Sequence, residues 1–121
     1  MALEIKISKV FGGHRITATS NEEPVGYLDF IYNGDESKGR NVEIQMIYTN
    51  PEHRRQGIAR TLLEILKTKI DAVWFTLWTG KQCEIDGSYK LYSELEFEEV
   101  TKLDDYYATG IPARLFRWRK Q

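Results

Sequence analysis

Ile47-Tyr48-Thr49-Asn50-Pro51-Glu52-His53-Arg54-Arg55-Gln56-Gly57-Ile58-Ala59 is the stretch on which the reading of this chain turns. It joins two segments of different period. Before it, Val42 to Thr49 is apolar almost throughout, as a central strand is, and Pro51 ends it. After it, Gly57 to Ile70 takes the helical period. Ile58, Leu62, Ile65, Leu66 and Ile70 share one face, while Glu64, Lys67 and Lys69 fall elsewhere. A helix start leaves about four backbone N–H groups unpaired and carries partial positive charge. With Gly57 and Ala59 at that start, no large side chain separates those amides from an anion, and Arg54 and Arg55 add charge at the rim. The arrangement suits a pyrophosphate. It also suits an ordinary solvated turn, and it matches neither the Walker phosphate loop nor the GxGxxG dinucleotide pattern.

Upstream, three strands are predicted. Leu3, Ile5 and Ile7 alternate with Glu4 and Lys6; His14 to Ser20 alternates through Ile16 and Ala18; Val25 to Tyr32 is rich in β-formers. Gly12-Gly13 and Asn21-Glu22-Glu23-Pro24 mark the turns between them, and Asn33 to Arg40 reads as a polar loop. Downstream, Val73 to Thr79 returns to strand character. Trp74, Thr76 and Trp78 share one face, read as core with room for one of them to wall a cleft; Phe75 and Leu77 take the other. Asp86 is expected to cap a short helix reaching about Leu95 and carrying Tyr89, Leu91 and Tyr92. Phe97 to Leu103 and Ala113 to Arg119 are two closing strands, joined by a loop from Asp104 to Pro112.

Composition bounds the answer. A chain of 121 residues is one domain, residues 1–121, with a core of its own. With 41% hydrophobic residues and only 3 prolines, disorder has little support. A formal net charge of -1 supplies no general attraction to nucleic acid or an anionic membrane, so neither is expected as a partner. Cys83 is the only cysteine, which excludes an internal disulfide and makes a reducing cytoplasm the expected setting. No apolar stretch approaches the roughly 20 residues of a membrane helix. Met1 to Val10 alternates and so lacks the unbroken apolar core of a signal peptide. Neither His14 nor His53 has a cluster around it, and no metal is expected.

Arg54-Arg55-Gln56-Gly57-Ile58-Ala59 resembles the Q/R-x-x-G-x-G/A signature of the GNAT N-acetyltransferase superfamily. Asn50-Pro51-Glu52-His53-Arg54 stands where that family has an x-Pro-Glu-x-Arg turn, and Leu62-Leu63 where it has a Leu-Leu pair. Leu91-Tyr92-Ser93-Glu94-Leu95-Glu96-Phe97 is similar to the family's L-Y-x-x-x-G-F. Asp105-Tyr106-Tyr107-Ala108-Thr109-Gly110 resembles the loop before its last strand. The matches run in the family's order over roughly residues 42 to 119. They imply an α/β GNAT (acyl-CoA N-acyltransferase) fold: a mixed, twisted sheet with helices packed on its faces, its fourth and fifth strands splayed. Here the N-terminal region is reduced, since the residues before Val42 read mostly as β where relatives carry two helices.

The resemblance also implies a site. Strand residues Ile47, Tyr48 and Thr49 would border the pantetheine arm of acetyl-CoA, with backbone groups of Ile47 and Thr49 pairing with it. Amides of Arg55, Gln56, Gly57, Ile58, Ala59 and Arg60 would hold the pyrophosphate, with Arg54 at the rim and the Thr61 hydroxyl helping. Glu43, eleven residues before Arg54, stands where histone-acetylating members place a general base. Tyr92 matches the tyrosine that protonates the departing thiolate. The chemistry is coherent: an amine attacks a thioester only when neutral, and a free lysine amine has a pKa near 10.4, so a carboxylate must take its proton. Each residue has a plainer reading beside this one. Glu43 also fits a solvated strand carboxylate, Tyr92 a packing residue, and Arg114, Arg117, Arg119 and Lys120 solvated strand ends. Cys83, without a Cys-His partnership, reads as inert. Two positions depart from the family pattern: Glu96 replaces a glycine and Ile85 an asparagine. The expected function is transfer of an acetyl group from acetyl-CoA to a primary amine (a small molecule, a peptide N-terminus or a lysine) in a ternary complex, by a monomer or homodimer. The alternatives are a non-catalytic acyl-CoA-binding module and a degenerate interaction protein.

Overall fold

The structure is a computed structural model that describes residues 2–34 and 40–120. Seven strands form one mixed sheet in the order β1-β2-β3-β4-β5-β7-β6. They are β1 (Glu4–Val10), β2 (Gly13–Ser20), β3 (Glu23–Asn33), β4 (Asn41–Thr49), β5 (Trp74–Trp78), β6 (Glu98–Ala108) and β7 (Ile111–Arg119). A 3-10 turn at Pro51–His53 and helix α1 (Ile58–Lys69) connect β4 to β5; α2 (Lys81–Asp86) and α3 (Lys90–Glu94) follow β5. The first four strands form an antiparallel meander. Its tight turns take left-handed residues: Gly12 at φ 82 in the first, and both Asn21 and Glu22, at φ 52 and 66, in the second, as a type I′ two-residue hairpin requires. The β4–β5 pair is parallel because α1 crosses over between them. Of the polar loop expected after Asn33, positions 35–39 lie outside the described residues.

Register assigns the faces. Ile16, Leu28, Phe30, Ile44, Leu77 and Phe116 stand side by side through successive pairings, and all are buried in one cluster. Helix α1 lays Ile58, Leu62, Leu63 and Leu66 onto it. Leu63 thus belongs to the buried face, while Ile65 is only partly covered. The α2–α3 segment packs against the same side through Tyr89, Leu91 and Tyr92. Both helical units therefore lie on one face, because the N-terminal third of the chain is spent on strands. The opposite face is kept wettable by pairs: Arg15 Nε lies 2.6 Å from Asp29 Oδ1 and its guanidinium 3.9 Å from the Tyr27 ring centre, while Arg117 lies 4.4 Å from the centre of Trp74.

Three expectations need correction. Trp74, Thr76 and Trp78 occupy this outer face, so the core of β5 is Phe75 and Leu77; indole bulk is no guide to burial when Arg side chains can cover it. Asp86 ends a helix instead of starting one. The chain leaves α2 through Gly87 at φ 75, and Asp86 Oδ1 accepts the Ser88 N–H at 2.8 Å, an Asx turn. The loop from Asp104 to Pro112 is mostly strand: β6 runs to Ala108 and turns at Thr109 and Gly110. Five steps from Leu103 to Ala108 oppose two from Ala113 to Ile111. That bulge absorbs Asp105 at φ 54, whose carboxylate accepts the Gly110 N–H at 2.6 Å.

Candidate active site

The loop between β4 and α1 is anchored before it is open. Asn50 donates its backbone N–H to the Val25 carbonyl (2.9 Å) and its side-chain amide to the Pro24 carbonyl (3.0 Å), tying the end of β4 to β3. Arg54 Nε then donates to the Thr49 carbonyl at 3.2 Å. Arg55, at φ 65, and Gly57, at φ 78, bend the chain into α1. Gly57 is the N-cap residue, and no side-chain hydrogen bond caps the helix. A Cβ at Gly57 would meet nothing within 4 Å, so a side chain there would project into open space at the helix start. The Thr61 N–H and hydroxyl both donate to the Gly57 carbonyl, at 2.9 and 3.0 Å. The amides of Ile58, Ala59 and Arg60 precede the first N–H that can bond within the helix, so they are the orphan donors of its first turn.

A slot lies beside this loop. Strands β4 and β5 pair from Asn41↔Trp74 to Ile44↔Leu77 and then part. A bulge assists: Asp29 faces Met46 and Phe30 faces Ile44, leaving Gln45 as the extra residue of β4. Beyond Trp78 the chain stays with β7, the Thr79 N–H donating to the Arg114 carbonyl at 2.9 Å. Two clefts open into the gap. One, of about 720 Å³, runs from β4 across the loop to α3 and is lined by Ile47, Tyr48, Thr49, Arg54, Arg55, Gly57, Ile58, Ala59 and Arg60. Gln56 and Thr61 are not among its walls: Gln56 is exposed and the Thr61 hydroxyl is turned to Gly57. The other cleft, of about 650 Å³, holds Glu43, Trp78, Lys81 and Tyr107. Ile47, Gln82, Cys83 and Tyr92 line both.

Electrostatics differ along the gap. Glu43 is half-buried, and Gln45 Nε2 donates to its Oε2 at 3.2 Å. Tyr92 is packed between Phe97 and Phe116, with ring centres 6.3 and 5.5 Å away. Burial pushes its phenol far above the ordinary value, and the neighbouring Cys83 adds to the shift. The Cys83 thiol is raised by burial too, although hydrogen bonds with Ser88 and Tyr92 pull the other way. Burial also opposes ionisation of Asp86, but hydrogen bonds from Ser88 and Gln82, with the charge of Arg54, outweigh it and leave this carboxyl below its usual range. Tyr107 donates its hydroxyl to the Thr79 carbonyl, and burial, then Tyr106, raises its phenol. Tyr106 itself stands exposed outside the cleft. Gln45, Gln82, Cys83 and Lys81 had no signal as site residues in the sequence; only the bulge and α2 bring them in. Among the described residues no group of three or more His, Cys, Asp or Glu could hold a metal ion, and no helix is long and apolar enough to cross a membrane.

Comparison with known proteins agrees with this fold. A family model described as Acetyltransferase (GNAT) family matches residues 4–97. The ribosomal-protein-S18-alanine N-acetyltransferase from Escherichia coli superposes with a TM-score of 0.74 at 21% identity, over 94% of this chain and 73% of that one. Arabidopsis thaliana NAA60, solved with a bisubstrate analogue, gives 0.73 at 18% identity, over 91% and 78%. An aminoglycoside 6'-N-acetyltransferase complexed with coenzyme A gives 0.71 at 14% identity, over 89% and 73%. At such identities these likenesses concern the fold. No curated protein sequence matches the chain.

Proposed function

This chain belongs to the acetyltransferase (GNAT) family, and from that premise we propose that it transfers an acetyl group from acetyl-CoA to a primary amine, directly, in a ternary complex. The observation that carries the reading is that two clefts meet at Tyr92, one bordered by the helix start and the other by Glu43. The first offers orphan amides and three arginines to a pyrophosphate. The free edge of β4 beyond Ile44 offers backbone groups to an extended pantetheine arm. The second cleft admits the amine.

In this reading Glu43 takes the proton from the bound ammonium, either directly or through a water. The neutral amine then attacks the thioester carbonyl, and the tetrahedral intermediate collapses by breaking the C–S bond while the second proton of the attacking nitrogen passes to water. Tyr92, whose hydroxyl is hydrogen-bonded with Cys83, turns its O–H to the departing sulfur as the C–S bond breaks. A thiol has a pKa near 8.5, so its thiolate is a far weaker base than a tyrosinate, and burial widens that gap. Tyr92 therefore stabilises the thiolate by donating a hydrogen bond and keeps its proton. The two departures from the family pattern, Ile85 and Glu96, line neither cleft, which speaks against a degenerate site.

Glu43→Gln tests the assignment of the base. Its kcat should fall on the order of 10²- to 10⁴-fold with acetyl-CoA affinity unchanged, and the acid limb of the rate profile should vanish. Wild-type kcat with an unaltered profile would move the base elsewhere, with Asp86 next to be tested.

A further inference from the structure

Glu84 lines neither cleft, yet its side chain is 2% exposed and its carboxylate is fully engaged. Arg114 Nε donates to both of its oxygens at 3.1 Å, and the Thr79 hydroxyl donates to Oε2 at 2.7 Å. Arg114 is itself fixed from two more sides. Its Nη1 donates to Glu99 Oε1 at 3.0 Å, and its guanidinium lies 4.3 Å from the centre of the Tyr89 ring. Thr79, 1% exposed, is the hub. Its N–H goes to the Arg114 carbonyl, and its hydroxyl oxygen accepts the Arg114 N–H at 2.9 Å while donating to Glu84. Its carbonyl accepts the Tyr107 hydroxyl. Every polar atom of Thr79 is thereby spent on β7, α2 or the tail of β6.

We propose that Glu84 is a positioning residue: through Thr79 and Arg114 it pins the end of β5 and the start of α2 to β7, and so holds open the gap in which transfer occurs. The inference rests on reading that gap as the transfer site. Pairing of β4 with β5 stops at Leu77, two residues before Thr79; the Gln45 bulge begins the parting on β4, and the Thr79 N–H bonded to the Arg114 carbonyl keeps the other strand on β7. The side chains of Thr79 and Glu84 reinforce that diversion by bonding Arg114. Helix α2 has six residues and no side-chain cap, so it is too short to stand on intrinsic propensity. The buried Glu84 tether, together with the Cys83 contact to Tyr92, therefore sets where Gln82 and Cys83, the wall shared by both clefts, are held. Buried charged networks of this kind cost desolvation and are weak evidence of a stabilising role. Their better-attested use is to select one geometry, and here the selected geometry sits beside the site.

Residue-resolved hydrogen exchange of the full chain, with and without Glu84→Gln, reads the pin without needing turnover. Protection of the Thr79 and Glu84 amides should fall on the order of tenfold or more, with the β3–β4 amides unchanged. In kinetics, KM for the acceptor should rise at least about tenfold and, because the displaced wall borders both clefts, the Kd for CoA should rise with it, whereas a mere loss of folded protein lowers apparent kcat alone. Unchanged exchange at Thr79, or an equal loss of protection in every strand, overturns the proposal. So does a wild-type acceptor kcat/KM. Because a buried carboxylate can be needed for folding, Tyr107→Phe serves as a milder second variant. It removes only the hydroxyl on the Thr79 carbonyl and should lower protection at Thr79 and raise acceptor KM about threefold or more; wild-type values of both count against the pin. If wild-type protein acetylates no amine, the functional reading fails, and the exchange data still decide the pin.

Discussion

Tyr92 and Cys83 share a buried contact at the point where the two clefts join. Both hold their protons more tightly in the folded chain than in the unfolded one, since burial raises each. Sign matters here. An unfolded tyrosine titrates near pH 10 while folded Tyr92 does not, so the stability it contributes is complete below about pH 10 and is lost as the pH rises towards its folded value. Urea unfolding between about pH 9 and 11 should therefore show a steep loss in wild-type protein and a shallower one in Tyr92→Phe. Equal slopes would mean that the phenol ionises freely. Cys83 was legible in the sequence only as a solitary thiol. Its contacts with Ser88 and Tyr92 arise from α2 and α3 folding back together, which no local pattern announces. Its raised pKa predicts slow alkylation: iodoacetamide at about pH 8 should modify Cys83 more slowly than an unstructured cysteine peptide, as followed by mass spectrometry.

At the level of elements, the strand–loop–helix unit was legible because its period changes within a dozen residues. Its consequence is testable at Gly57. The space above that residue is empty and its φ is 78, so Gly57→Glu places a carboxylate over the orphan amides and strains the backbone by about 1–2 kcal/mol. CoA binding should disappear in a protein that remains folded; undiminished affinity would make the loop an ordinary turn. Helix α2 was not legible. Six residues between Gly80 and Gly87 carry no period, and what holds them is Glu84 reaching a strand that lies far along the chain. The end of β6 was misread for a related reason: Asp104, Asp105 and Gly110 are turn formers, but a bulge uses them inside a strand pair. Glu96 supplies a third case. It occupies the left-handed region at φ 69, where the family pattern has glycine. Glu96→Gly should relieve roughly 1 kcal/mol and raise Tm by about 3–5 °C. A fall in Tm would show that the Glu96 side chain stabilises more than its backbone costs.

Across the whole molecule, the class of fold followed from residues 42 to 119, but the strand order did not. That β7 lies between β5 and β6 depends on long-range pairing that alternation cannot encode. The resemblance supplied what periodicity lacked. The upstream strands, expected from alternation alone, fix the most individual property of this chain: its helices pack on one face, and the other is a solvent-wetted surface of Arg–aromatic stacks and an ion pair. Glu43, Met46 and Trp78 line one cleft together with Ile44, Leu77 and Tyr92. In the proposed reaction, an amine arriving in this cleft takes the acetyl group of a cofactor seated on the helix start. Thiol release from acetyl-CoA, measured over a panel of polyamines, peptide N-termini, lysine-containing peptides and bulky apolar amines, tests it most directly. Amine-dependent release is expected, accompanied by a monoacetylated product and favouring the polar acceptors over the bulky apolar ones. Saturable acetyl-CoA binding with no amine-dependent release from any acceptor would contradict it and leave the chain a cofactor-binding module.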